Sequence, residues 1–83
     1  MMSKVYIATF HTHFGAMQLH RRLKAGGVES LVMPVPRSLS SSCGICVRFI
    51  SESPLDWQDA EDLEQIVLYE QGKPYTVLFH KDD

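Results

Sequence analysis

Nowhere in the 83 residues does an uninterrupted apolar stretch approach the roughly twenty that cross a bilayer. No membrane association is expected. No signal peptide is expected, since Met1-Met2-Ser3-Lys4 runs directly into a short apolar segment that reads as a strand. The expected location is therefore the cytoplasm. Cysteine is scarce, with Cys43 and Cys46 alone. That excludes a disulfide-stapled scaffold and points to redox, metal or carrier chemistry. No Lys/Arg run and no aromatic platform motif occurs, so nucleic acid is not an expected partner. Repeats, low-complexity tracts and linkers are lacking too. Residues 1–83 are expected to form one domain. A core of that size is thin, and a homodimer through an open sheet face is a natural supplement.

The content that remains is ordinary for a globular chain, 45% apolar and 22% charged. The charge is not evenly spread. Lys4 to Arg48 holds six bases against the single acid Glu29, whereas Glu52 onward holds nine acids and two bases. Two solvated faces of opposite sign account for this, and so does a basic region that attracts an anion.

Patterning predicts six elements. Lys4–Phe10 is β-branched and aromatic, hence a strand. Thr12 or His13 caps a helix to about Ala25, with Ala16, Met17, Leu19, His20 and Leu23 recurring at three and four. Gly26-Gly27 stops it. Glu29–Met33 is a strand ended by Pro34-Val35-Pro36. Arg37–Gly44 is a polar loop, and Ile45–Ile50 alternates as a half-buried strand. Ser53-Pro54-Leu55-Asp56 reads as a helix start. The helix would run to about Glu70 on a stripe of Trp57, Ala60, Leu63, Ile66 and Val67. Tyr75–His80 is the last strand. The sequence βαββαβ predicts an α+β, ferredoxin-like sandwich, with antiparallel order 4-1-3-2 and two helices on one face.

That topology brings distant residues to one sheet edge. Thr9–His13 should lie near Cys43–Cys46, with Arg37 and Ser40–Ser42 beside them and Gln71–Pro74 at the rim. The free amides at the start of the first helix would polarise this region and favour a thiolate. Cys43 should be solvent-reachable and face them. Arg37, Ser41 and Ser42 have the donors for an anion cradle, and Gly44 allows close backbone approach. Thr12 and His13 stand at the strand-to-helix junction, where His13 is a candidate base or cation for Cys43. Arg48 is a candidate partner contact if it lies on the face away from the helices.

Cys43-Gly44-Ile45-Cys46 forms a CxxC, but it leads into a strand rather than a helix, which departs from the thioredoxin arrangement. A lone CxxC supplies two of the four ligands zinc wants. His11 and His13 do not complete a recognised zinc spacing, and no metal is expected.

The segment Met33-Pro34-Val35-Pro36-Arg37-Ser38-Leu39-Ser40-Ser41-Ser42-Cys43-Gly44, with Val47-Arg48-Phe49 following, resembles the putative Se/S carrier protein-like family of short bacterial proteins. Thr12-His13 with Ala16 resembles that family's early motif. The resemblance covers almost the whole chain. It implies a sulfur or selenium carrier with Arg37, Ser41, Ser42, Cys43 and Gly44 at its site, Cys46 fitting less closely. It implies no cofactor. The partners implied are a donor enzyme of the cysteine desulfurase or selenocysteine lyase type and an acceptor protein. Such a carrier turns over only with those partners and is not a stand-alone enzyme. Two other readings fit the same residues: a binding module for an anionic ligand or partner protein, and a thiol-disulfide redox protein using Cys43 and Cys46.

Overall fold

In a computed structural model, residues 3–81 are described; Met1 and Met2, read above as the lead into the first strand, fall outside them. Seven β-branched and aromatic residues form β1 (Lys4–Phe10), and the chain then enters α1 (His13–Ala25). Thr12 is extended and its hydroxyl accepts from the Gly15 amide, an N-cap. The Gly26 amide closes the other end onto the carbonyls of Arg22 and Leu23, and Gly27 turns the chain at φ 76°. The strands β2 (Ser30–Pro34) and β3 (Ile45–Ser51) follow, joined by the loop 35–44.

The second predicted helix does not form. Ser53-Pro54 does start helical backbone, but it lasts one 3-10 turn, Pro54–Trp57. The chain then turns through Asp62, a non-glycine residue at φ 60°, into a strand, β4 (Leu63–Tyr69). A last strand, β5 (Thr76–His80), hairpins back on β4. The sheet is five-stranded and antiparallel, in the order β2-β3-β1-β4-β5. The expected ferredoxin-like order 4-1-3-2 and the pair of helices are thus corrected to one helix over five strands. The second half of the segment read as helix takes the place beside β1, and the segment read as the fourth strand pairs with it instead of with β1.

A β-bulge explains the misreading. Thr9 pairs with Gln65 and Phe10 with Leu63, so Glu64 is an extra residue in β4. The bulge turns Leu63 and Ile66 to the same side although they are three apart. A bulged strand therefore reproduces the i, i+3 spacing of a helix.

Side chains of β1 alternate between two cores. Tyr6, Ala8 and Phe10 join Ala16, Leu19 and Leu23 of α1, together with Val47, Phe49, Leu63 and Ile66. Residues 52–62 cross this same face beside α1. Ala60 is buried there, and the Arg22 guanidinium stacks 5.2 Å from the Trp57 ring. The opposite face has a smaller cluster, Ile7, Cys46 and Val67, partly roofed by Val35 and Leu39 of the loop and by Tyr75.

Candidate functional site

The order of β2, β3, β1 and β4 gathers the ends of four elements at one edge. The loop 35–44 is fixed there by its backbone and by short polar side chains. The Val35 amide donates to the Gly44 carbonyl at 3.1 Å, and the Leu39 amide to Pro36 at 3.0 Å. Gly44 sits at φ 78° with open space where a Cβ would stand, so its value is the left-handed turn into β3.

Cys43 occupies the centre of this arrangement. It is half-buried, a free thiol, and its side chain packs against the α1-side core. The thiol donates to the Ile45 carbonyl at 3.2 Å, and the Ser41 hydroxyl lies 3.8 Å from Sγ. The Cys43 carbonyl accepts from His13 Nε2 at 2.7 Å, which requires the proton on that nitrogen. His13 therefore lies beside Cys43, but its bond is to the backbone carbonyl and not to the sulfur for which it was read as a base or cation.

Ser41 and Ser42 hold a carboxylate, and it belongs to the protein. Ser41 Oγ is 2.9 Å from both Glu64 Oε1 and the Phe10 carbonyl, and its one proton serves either. Ser42 donates its amide to Glu64 Oε1 at 3.4 Å and its hydroxyl to Oε2 at 3.0 Å. His11 Nδ1 approaches the same Oε2 at 3.4 Å. Of the anion cradle read from the sequence, Ser41 and Ser42 do come together as donors, but Glu64 of the protein itself takes them and Arg37 is not among them. Sequence reasoning missed Glu64 because it counted residue 64 as helical. The sequence carries no signal for it, because what turns Glu64 to the serines is a bulge set by strand register.

The helix start is answered in a parallel way. Thr12 Oγ1 donates to Asp62 Oδ2 at 2.7 Å, and the His11 amide donates to the Asp62 carbonyl at 2.8 Å. A carboxylate at a helix N-terminus complements its partial positive charge. Thr12 thus serves as a cap and an acid anchor, and no contact among the described residues joins the helix amides to the Cys43 sulfur. Gly15 is pressed against this acid segment: a Cβ there would lie 2.5 Å from the Glu61 carbonyl oxygen.

Arg37 stands exposed in the turn at the loop's tip, with no hydrogen bond to Cys43, Ser41 or Ser42 among the described residues. Its neighbours Ser38–Ser40 instead face Lys73–Tyr75 across a groove of about 580 Å³. Cys46 is fully buried in the cluster on the other face, with its thiol 3.7 Å from the Pro34 carbonyl. Burial, and behind it the neighbouring Cys43, pushes the Cys46 thiol up to about 11 from 9.0. At neutral pH it is a protonated, inaccessible thiol. Among the described residues no three His, Cys, Asp or Glu side chains gather into a metal-holding group, and no helix is long and apolar enough to cross a membrane.

No solved structure matches the chain. Among curated proteins, the protein YtiA of Escherichia coli K12, described as uncharacterised, is 34% identical over 44 residues. That alignment takes in 53% of this chain and 52% of YtiA, so the match spans about half of each. The profile of one family runs from residue 5 to residue 76, taking in β1 from its second residue, α1, the whole Cys43 loop, the bulge at Glu64 and the entry to β5. On that match the chain belongs to the putative Se/S carrier protein-like family.

Proposed function

We propose that the protein carries sulfur or selenium on Cys43 between a donor enzyme and an acceptor protein. The observation that carries this reading is the contrast between the two thiols of a chain in this family. Cys43 stands half-buried in a loop pinned at both its carbonyl and its flanking serines, while Cys46 is sealed beneath the sheet.

The transfer needs no outside oxidant. Cys43 gives up its thiol proton, and the thiolate attacks the outer sulfur of a persulfide on the donor. The new Cys43–sulfur bond forms as the donor's sulfur–sulfur bond breaks. The donor cysteine leaves as a thiolate and takes a proton. Delivery repeats the displacement, with an acceptor nucleophile attacking the outer atom and Cys43 leaving. A selenopersulfide follows the same steps. Ser41 Oγ lies 3.8 Å from Sγ, and it would donate to the thiolate only by turning its one proton away from Glu64 and the Phe10 carbonyl.

A disulfide relay between Cys43 and Cys46 is disfavoured, because the two side chains pack into cores on opposite faces of the sheet. The test is intact mass after incubation with a cysteine desulfurase and cysteine. Wild type is expected to gain sulfur, Cys46→Ala to gain it equally, and Cys43→Ser to gain none. No gain on wild type with an active desulfurase, or equal gain on Cys43→Ser, contradicts the reading.

A further inference from the structure

The sheet face turned away from α1 holds a cation, Arg48, with no hydrogen-bond or ion-pair partner among the described residues. Arg48 lies in the middle of β3, opposite Ile7 of β1 and Leu31 of β2. Strand alternation puts it on the same face as Cys46. It is half-buried, yet among the described residues no carboxylate, carbonyl or aromatic ring pairs with its guanidinium. Arg22 shows the contrast, since it has both Asp59 and Trp57. Beside Arg48, the side chains of Ile7, Met33, Tyr69 and Tyr75 enclose a hollow of about 260 Å³. Leu31, 54% exposed, extends the apolar surface next to it.

We propose that this hollow docks a partner protein by taking up one of the partner's carboxylate side chains. The planar guanidinium fork matches a carboxylate in two parallel hydrogen bonds. Arginine, tyrosine and methionine are the residues that protein interfaces concentrate, with apolar contact around a desolvated anchor. The hollow is smaller than the roughly 300–1,000 Å³ typical of sites for free ligands, and it suits a single side chain. A second copy of this chain is the poorer occupant. A two-fold contact apposes like surfaces, and the one acid in the five strands, Glu64, is turned to Ser41 and Ser42. Two copies would bring Arg48 to Arg48. This docking does not depend on sulfur chemistry at Cys43.

The experiment is an NMR titration of the full ¹⁵N-labelled chain with N-acetylglutamate N-methylamide, against the glutamine analogue and acetate. The glutamyl probe is expected to shift the amides of Ile7, Arg48, Tyr69 and Tyr75 saturably. It should bind about tenfold tighter than the glutamine probe, the ratio worth roughly 1.4 kcal/mol. Arg48→Met should lose the response while keeping a folded spectrum, and Arg48→Lys should keep part of it. Equal responses to glutamyl and glutamine probes overturn the proposal, as do shifts confined to Ser38–Ser40 and Lys73. Acetate binding as tightly as the glutamyl probe overturns the protein-borne source. Sedimentation showing a dimer that Arg48→Glu dissolves assigns the face to a second copy and overturns it too.

Discussion

Substituting Gly15 by alanine tests whether the acid segment 61–64 is clamped to the helix start, because two effects at that position have opposite signs. Intrinsic propensity favours alanine over glycine in a helix by up to about 1 kcal/mol. The packing opposes it. A Cβ would stand 2.5 Å from the Glu61 carbonyl oxygen, 2.8 Å from Asp62 Cβ and 3.1 Å from a Phe10 ring carbon. The first of these is backbone and the third belongs to a fully buried ring. Neither can yield as a flexible side chain would. Overpacking of this kind costs about 1–3 kcal/mol. In the first helical turn the propensity gain is at the low end, so the net loss should be about 1–2 kcal/mol. For a chain of this size that lowers the melting temperature by roughly 5–15 °C. Urea unfolding followed by circular dichroism gives the free energy, and a thermal melt gives the temperature. Gly15→Ser should behave similarly, since the obstacle is the Cβ. A Gly15→Ala protein as stable as wild type, or more so, would refute the packing argument and with it the clamp on Glu64.

Further outcomes follow from the same contacts. Glu64→Gln removes the charge that Ser41, Ser42 and His11 face, so it should cost about 1–3 kcal/mol and speed amide exchange across residues 38–44, as read by hydrogen–deuterium exchange. Thr12→Ala loses the N-cap and the bond to Asp62, lowering stability by about 1 kcal/mol in chemical denaturation. Under native conditions at pH 8, a thiol-alkylating reagent should modify Cys43 and reach Cys46 only after denaturant is added, as peptide mass mapping will show. Alkaline stability follows from Cys46: its thiol is raised to about 11 in the folded protein from 9.0. The unfolded chain therefore loses that proton first, and the stabilisation, complete below pH 9, should fade as pH rises toward 11. Cys46→Ala should lack this sag in a pH series of urea melts.

Local signals were readable wherever a single residue decides local backbone. Thr12 caps α1 and Gly26 ends it, as their chemistry requires, whereas Pro34, read as a ladder breaker after Met33, is the last residue of β2 and stands opposite Ile45. The meeting of the Cys43 loop with the helix start was also legible, because it follows from β3 returning beside β1. The stretch from Ser53 to Tyr69 was not. Its start signal is genuine, but one turn satisfies it, and no local rule says that Asp62 will adopt a positive φ. Beyond it, the bulge at Glu64 converts strand alternation into helical spacing. That single extra residue hid both the fourth strand and the acid that sits among the serines. The occupant of the cradle was illegible for the same reason: donors are visible in Ser41-Ser42, but the carboxylate that reaches them comes from a distant strand whose register the sequence does not announce.

The proposed transfer requires one sulfur atom, Cys43 Sγ, to be the accepting one. Loading the protein from a cysteine desulfurase, trapping the product with an alkylating reagent and sequencing its peptides by tandem mass spectrometry locates the transferred atom. It should lie between Cys43 and the trapping group, with Cys46 unmodified. Transferred sulfur on Cys46, or none on either cysteine while the desulfurase is turning over, would contradict it.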